Sequence, residues 1–277
     1  MKRNKLNLII IGIGMLIFTL LIAYPMIMIL FFSFKTKLEI AVAPLSLPQS
    51  IYLQNYITAV KEMDFFNSLK NSVVITAICL ILGTFIYCMA SYACARANIK
   101  KKLFKGFYLF MLAGLALPVQ LAMVSQVYLL RSMHLIGKLS GLELIYLGGL
   151  TSFSMFILYG FVKTIPISLD ESAMIDGGNY FTVFAQIMMP LMKPVIMTLV
   201  ILNGVTVYND FMQPMVFLSG KAARTLPLTV FYFRGQHTTD WGVLFAALAV
   251  ASAPAVLFYF YFQNYIVSGL ISGAIKG

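Results

Sequence analysis

The sequence predicts an all-α integral membrane protein with six transmembrane helices, folded as a single transmembrane domain over residues 1–277. Apolar residues make up 61% of the chain and charged residues only 10%, whereas a soluble domain carries about 25% charged residues because its surface faces water. Six apolar segments reach or approach the length of about 20 residues that a helix needs to cross a bilayer. Lipid offers the backbone no hydrogen-bond partners, so such segments must be helices.

The predicted spans follow stretches of the chain that lack charge. Five stretches contain no Asp, Glu, Lys or Arg, and a sixth, between Lys193 and Lys221, contains only Asp210. The first stretch is far longer than a signal-peptide core and no cleavage site follows it, so we expect an uncleaved anchor helix. The six predicted spans are about 8–32, 71–95, 107–130, 144–162, 195–218 and 242–266.

Basic residues predict the orientation of the spans. Lys2, Arg3 and Lys5 precede the first span, and five Lys and Arg residues crowd into 96–105 after the second. Both segments are therefore expected in the cytoplasm, and an even number of spans returns the C-terminus there. The net charge of +11 is assigned to the lipid surface and the outer loops rather than to nucleic acid.

Polar side chains inside the spans are candidates for a transport pathway. Gln120 and Gln126 lie in the third predicted span, and Tyr208, Asn209 and Asp210 lie in the fifth. A carboxylate inside a membrane is costly and marks a functional site by default. Asp210 is equally consistent with a structural hydrogen bond to a neighbouring helix or an ion pair near the outer interface.

The inner loop 163–193 is long and acidic where a basic loop is expected. Ser168 and Glu171 have the spacing of a capping box, in which each side chain accepts from the other's backbone. Glycines 177 and 178 are predicted to end this helix, since glycine readily adopts the left-handed conformation at a helix C-terminus. Asn179 is a suitable cap for a second helix, which Pro190 would stop. The loop is therefore predicted to form a compact, partly acidic helical knob in the cytoplasm.

The spacing of this loop resembles the signature of bacterial binding-protein-dependent ABC importer permeases, E-A-A, three residues, G, nine residues, I-x-L-P. Ser172 stands in place of the second residue of that signature and Met189 in place of its Leu. The resemblance implies a type I ABC importer transmembrane domain, in which this loop is the coupling helix that docks into a separate ATP-binding subunit. The implied coupling residues are Glu171, Ser172, Ala173, Asp176, Gly177, Ile187 and Pro190.

Further segments resemble the carbohydrate-uptake branch of these permeases, and in particular the smaller permease subunit of maltose-type sugar transporters. The run Tyr208-Asn209-Asp210-Phe211 is similar to the family's W-N-[DE]-F, with Tyr208 in place of Trp, and residues 225–228 and 263–277 also match. The resemblance implies import of a sugar, expected to be a di- or oligosaccharide, across the bacterial cytoplasmic (inner) membrane. Its implied partners are a second homologous permease, two ATP-binding subunits and an extracytoplasmic solute-binding protein. The implied binding-protein contacts lie in the third outer loop: Arg224, Thr225, Arg234, Gln236 and His237.

No catalytic residue, metal site or cofactor is expected on this chain. It lacks a G-x-x-x-x-G-K-[ST] phosphate loop, so ATP and Mg²⁺ are expected on the partner ATPase. His134 and His237 lie outside the spans, and no second intramembrane Asp can pair with Asp210 for acid–base chemistry. Two alternatives stay open: an ABC importer permease for a non-sugar solute, and an ion-coupled secondary transporter, which would need several buried acids.

Overall fold

The computed structural model describes residues 5–96, 101–236 and 240–274, with side chains described for 8–96, 101–232 and 240–261. Within these residues the regular elements are helices, and the all-α class predicted from the sequence is confirmed. The helices are α1 (Lys5–Ser33), α2 (Lys37–Val42), α3 (Gln54–Glu62), α4 (Phe65–Arg96), α5 (Lys101–Ala113), α6 (Val119–Ser132), α7 (Leu139–Gly149), α8 (Thr151–Thr164), α9 (Ser168–Ile175), α10 (Tyr180–Asn209), α11 (Met212–Phe217), α12 (Leu226–Gln236) and α13 (Trp241–Ala274).

The helices that can cross a membrane fall into two kinds. Among the described residues, α1, α4, α10 and α13 each contain a stretch long and apolar enough to cross on its own. The pairs α5/α6 and α7/α8 meet the same test only together, and they are bent by 110° and 41°. The predicted number of six is reached when each bent pair crosses as one broken span.

The third predicted span, 107–130, is broken between α5 and α6. A 3₁₀ turn, Gly114–Ala116, ends the first part, and Leu117 then adopts an extended conformation with φ −94° and ψ 119°. Pro118 causes this break, because its ring disfavours the helical region for the residue before it. Span three is therefore two helices joined at a sharp corner.

The fifth span begins earlier and ends earlier than the predicted 195–218. Helix α10 is continuous from Tyr180 to Asn209, and Asp210 leaves the helical region with ψ 133°. Pro190 does not stop this helix, so that prediction is wrong. A π-helical segment, Val183–Met188, precedes the regular α-helix, and Pro190 lies in the first turn after it. The missing N–H of proline is tolerated there because the i→i−4 ladder is already interrupted.

The chain divides into two compact units, Met1–Phe66 with Thr229–Pro254, and Asn67–Leu228 with Ala255–Gly277. The first unit contains a fully buried lysine at the end of α1. Lys35 Nζ donates hydrogen bonds to the carbonyl oxygens of Ala43 at 3.0 Å and Pro44 at 2.7 Å. Asn55 Nδ2 donates to the carbonyl oxygen of Lys35 at 2.8 Å. These bonds fix the loop that follows α1.

The second unit contains two apolar clusters. The first joins α4, α8 and α10 through buried side chains that include Tyr87, Leu158 and Met188, and Ala173 and Met174 of α9 pack against it. The second joins α4 to α6, α7 and α11, and its buried members include Ile75, Leu130, Leu142 and Phe217. Helix α9 is thus held against the core of this unit.

Candidate functional site

The acidic segment between the fourth and fifth spans forms helix α9, and a Schellman motif ends it. The N–H of Gly178 donates to the carbonyl of Ala173 at 2.9 Å, and the N–H of Gly177 donates to that of Met174 at 3.1 Å. Gly177 has φ +86°, and a Cβ at Gly178 would lie 2.7 Å from the Ala173 oxygen. Both positions therefore favour glycine, and the predicted left-handed helix end is confirmed.

The capping box predicted at the start of α9 is not formed. The helix begins one residue earlier than the box requires, because Ser168 is already its first helical residue and the carbonyl of Ile167 accepts from the N–H groups of Asp170 and Glu171 at 3.0 and 3.1 Å. Ile167 is the cap residue, without a side-chain bond. Asn179 caps α10 as predicted, since its Oδ1 accepts from the Thr182 N–H at 2.9 Å.

The knob presents acidic and apolar groups side by side. Glu171, Ser172, Asp176, Gly177 and Pro190 are exposed, while Ala173 and Ile187 are half-buried. Three large apolar side chains that the sequence motif did not single out are exposed beside them: Ile175 at 85%, Tyr180 at 60% and Phe181 at 63%. Exposed aromatic and aliphatic groups around a helix end are typical of a protein-docking surface. The available signal in the sequence was that these apolar residues lie directly before and after the glycine turn.

A buried ion pair joins α9 to the C-terminal end of α4. Arg96 Nε lies 3.0 Å from Asp170 Oδ2, and the two side chains are 8% and 10% exposed. Arg96 Nη2 also donates a hydrogen bond to the carbonyl of Ile165 at 2.7 Å. Removing one partner of such a pair leaves a buried charge and costs about 3–5 kcal/mol. The sequence indicated a basic cluster and an acidic loop, but not this pairing.

A cavity of about 450 Å³ lies among α6, the end of α10 and α11. Three of the five predicted pathway residues, Gln120, Asn209 and Asp210, line it. The cavity brings amides and a carboxylate together with apolar side chains. The other lining residues are Val119, Met123, Val205, Thr206, Met212 and Gln213.

Asp210 has a structural role at the wall of this cavity. Its Oδ2 accepts a hydrogen bond from the Tyr146 hydroxyl of α7 at 3.0 Å, and its Oδ1 accepts from the Met212 N–H at 2.9 Å. The second bond holds the chain at the start of α11. A carboxylate has about four acceptor positions, so Asp210 retains capacity for a ligand.

Gln213 is a cavity residue that the sequence interpretation missed. Within the described side chains, its Oε1 is buried and lacks a hydrogen-bond partner. Buried polar atoms are normally paired, so an unpaired acceptor on a cavity wall favours a polar ligand. Gln126 Oε1 and Tyr208 Oη are also buried and have no hydrogen-bond partner in the part of the chain that the structure describes, but neither residue lines the cavity.

The segment before α12, predicted to belong to the third outer loop, is held by hydrogen bonds to the N-terminal part of α4. Asn71 Nδ2 donates to the carbonyl oxygens of Ala222 at 2.9 Å and Arg224 at 3.0 Å, and the N–H of Leu226 donates to Ser72 Oγ at 2.8 Å. Arg224 is half-buried, whereas Thr225 is 5% exposed and packs inside the protein. Three predicted binding-protein contacts lie outside the described residues or side chains: Arg234, Gln236 and His237.

These features define a polytopic helical membrane protein with a polar cavity and an acidic, partly apolar knob between its fourth and fifth spans. The chain belongs to the family of binding-protein-dependent transport system inner membrane components, which it matches over residues 88–272. The resemblance read from the coupling motif is thereby confirmed, and the chain is a membrane-spanning permease subunit.

Relatives and solved structures match nearly the whole chain. The probable starch degradation products transport system permease protein of Thermoanaerobacterium thermosulfurigenes is 36% identical, over 94% of this chain and 94% of its own length. The trehalose/maltose transport system permease protein of Thermococcus litoralis is 29% identical over 100% of both. A chain from the crystal structure of a bacterial ABC transporter for the acidic polysaccharide alginate has a TM-score of 0.80 at 20% identity, covering 96% of this chain and 98% of that one. This last likeness shows the shared fold.

Proposed function

We propose that this chain is one transmembrane half of an ATP-driven importer for a di- or oligosaccharide in the bacterial cytoplasmic membrane. The observation that carries the proposal is helix α9, an exposed acidic helix with a rigid glycine end, set between the fourth and fifth spans of a chain from this family. A soluble motor transmits force to a membrane protein only through a rigid contact, and α9 has the form of one.

Helix α9 is the proposed docking element for the ATP-binding subunit. Its inner face is held by packing of Ala173 and Met174 against the core, so a push on the helix is passed on rather than absorbed. Its outer face offers Glu171, with exposed Ile175 and Phe181 nearby. We expect a groove with basic residues at its rim and an apolar floor on the partner, since interfaces combine an apolar centre with a polar rim.

The cavity beside α11 is the proposed contact with the sugar. Its volume of about 450 Å³ lies in the range of about 300–1,000 Å³ common for small-molecule sites. Amide groups from Gln120, Asn209 and Gln213 can both donate to and accept from hydroxyl groups. The names of the two relatives, which specify starch degradation products and trehalose or maltose, support a carbohydrate.

The complete transporter is proposed to contain a second homologous permease, two ATP-binding subunits that hold ATP and Mg²⁺, and an extracytoplasmic solute-binding protein. The family description, which specifies dependence on a binding protein, supports the last of these. Both termini of this chain then lie in the cytoplasm. Of the two predicted binding-protein contacts whose side chains are described, Arg224 is half-buried and Thr225 is buried, so Arg224 is the one proposed to contact the binding protein.

A non-sugar solute is the alternative within the same family. The amide-rich lining of the cavity favours a neutral, hydroxyl-rich cargo over a phosphate or an amino acid, because Asp210 is the only charged residue among the described side chains that line it. Ion-coupled transport is disfavoured, since such a transporter needs several buried acids and Asp210 is the one carboxylate among the described lining residues.

Uptake measurements test this proposal. In cells that lack this chain, we expect loss of uptake of a labelled di- or trisaccharide, with restoration by the chain supplied from a plasmid. Monosaccharides and an amino acid serve as controls whose uptake is unchanged. Normal uptake of every sugar together with lost uptake of the amino acid would reject the sugar assignment.

A further inference from the structure

We propose that Arg96 and Asp170 form a latch that makes helix α4 move together with helix α9, so that Arg96 is a positioning residue for ATP coupling. The latch consists of the Arg96–Asp170 ion pair and the bond from Arg96 to the Ile165 carbonyl. This inference rests on the proposed function, because it concerns how force leaves the docking helix.

The geometry of the latch holds two parts of the inner loop at once. Asp170 lies in the first turn of α9, and Ile165 lies in the segment that joins α8 to α9. One guanidinium faces the carboxylate of the first and donates to the carbonyl of the second. The planar, multi-donor guanidinium suits this double contact, whereas a lysine ammonium is a single point charge.

The latch connects α9 to α4, which is not its neighbour along the sequence. Helix α9 is joined through short segments to α8 before it and to α10 after it, but α4 is remote from it in sequence. Apolar packing between α9 and the core cluster is non-directional. A buried ion pair in that setting fixes the register of two elements, which is the best-attested use of such pairs.

Helix α4 carries this connection towards the cavity. Its π-helical segment, Cys79–Gly83, packs closely on α10, since a Cβ at Gly204 would lie 3.3 Å from Leu80 Cδ1. The next two residues of α10, Val205 and Thr206, line the cavity. A displacement of α9 therefore reaches the cavity wall through α4 as well as along α10 itself.

The test is the number of sugar molecules imported per ATP hydrolysed by the complete transporter in proteoliposomes. The double variant Arg96→Gln/Asp170→Asn removes both charges and leaves neither one unpaired. We expect it to assemble and hydrolyse ATP, but to import at least about five-fold less sugar per ATP. A change of this size is typical of coupling between sites. A smaller loss overturns the latch.

Ser154→Ala is the matched control for a merely structural role. It removes another buried interhelical bond in the same unit, from Asn203 Nδ2 to Ser154 Oγ at 3.0 Å. We expect this variant to lower the melting temperature of the complex while leaving import per ATP unchanged. A loss of coupling in Ser154→Ala as large as that in the double variant would also overturn the latch.

Arg96→Lys decides the question if the double variant does not assemble. It keeps the charge but gives up the double contact, and we expect a loss of about two-fold or more in import per ATP; a smaller loss overturns the latch. Failure of the proposed function looks different. In that case the unaltered transporter itself imports no sugar with ATP, and both proposals fall together.

Discussion

The polar groups around helix α9 and those at the cavity of the second unit differ in their partners. At α9, Arg96 and Asp170 form a buried ion pair, and the carbonyl groups of Ala173 and Met174 accept from Gly178 and Gly177, while Asp170 Oδ1 has no hydrogen-bond partner among the described residues. At the cavity, Gln213 Oε1 is buried without a partner among the described residues, and no ion pair accompanies it there. An ion pair between two helices restrains their register, whereas an unpaired acceptor on a cavity wall favours a polar ligand.

The two regions are therefore expected to affect different measurements. Changes around α9 are expected to alter how much transport each ATP drives, because we propose that this helix receives force from the ATP-binding subunit. Changes at the cavity are expected to alter the sugar concentration needed for transport, because we propose that the cavity contacts the sugar.

The largest expected effect is that of Glu171→Lys in the docking helix. Glu171 is exposed, so the variant should insert into the membrane normally, but a lysine would oppose the basic groove expected on the ATP-binding subunit. Like charges placed against each other in an interface cost several kcal/mol, so we expect import to fall by about ten-fold or more while ATP hydrolysis becomes independent of sugar. The exposed Lys102→Glu, outside the knob, is the control, and normal coupled import by Glu171→Lys would contradict the docking role.

The next largest effect is expected for Gly177→Val. Gly177 has φ +86°, where a β-branched residue is strained by about 1–3 kcal/mol, so the end of α9 should loosen and import per ATP should fall. Gly160→Ala is the matched control, since Gly160 lies within α8, has ordinary helical geometry and has open space around its Cα. Equal melting temperatures and equal coupling for the two variants would show that the left-handed turn is not needed.

A smaller effect of a different kind is expected for Gln213→Leu. Loss of one amide hydrogen bond to the sugar corresponds to about 0.5–1.5 kcal/mol, so we expect the KM for import to rise by about two- to ten-fold with import per ATP unchanged. Met215→Leu, on α11 but outside the cavity lining, is the control. An unchanged KM would remove Gln213 from the pathway, and a change in coupling instead would break the contrast between the two regions.

The smallest effect lies in the first unit, far in sequence from both regions. The Thr36 N–H, and then the Gln49 N–H, donate to the Glu39 carboxylate at 2.8 and 3.3 Å and hold its pKa below the ordinary value. At pH values above the unfolded-state pKa of Glu39, these bonds make their full contribution to the stability of the loop that follows α1. That contribution is lost as the pH falls through the folded-state pKa of Glu39. For the natural chain, we expect proteolysis of this loop to be faster in acid than at neutral pH. For Glu39→Gln, we expect the rate of proteolysis to be raised at neutral pH and to depend less on pH.

The sequence predicted the parts of this molecule that depend on composition and local spacing. Charge-free stretches indicated the spans, and glycine at position 177 indicated the left-handed turn, because both follow from short-range rules. Two local rules failed. The Ser168–Glu171 spacing fitted a cap that an earlier helix start made unnecessary, and a π segment removed the expected stop at Pro190.

Contacts between distant parts of the chain were beyond such rules. Nothing near Arg96 or Asp170 in the sequence specifies that the two should pair, since the contact exists only when α4 and the inner loop pack together. The same holds for Gln213, whose unpaired oxygen becomes informative only once α6 and α10 form a cavity around it. Tertiary packing thus decided which of the polar residues form a site.

The side of the membrane on which α9 lies is the most direct test of the whole account. Ile175→Cys places a thiol at a position that is 85% exposed, while Cys79, Cys88 and Cys94 are buried. We predict that a membrane-impermeant maleimide labels this thiol in inside-out vesicles but not in intact spheroplasts, and that bound ATP-binding subunits protect it. Leu45→Cys, in the first outer loop, should show the reverse sidedness. Labelling of Ile175→Cys from outside the cell would contradict the account.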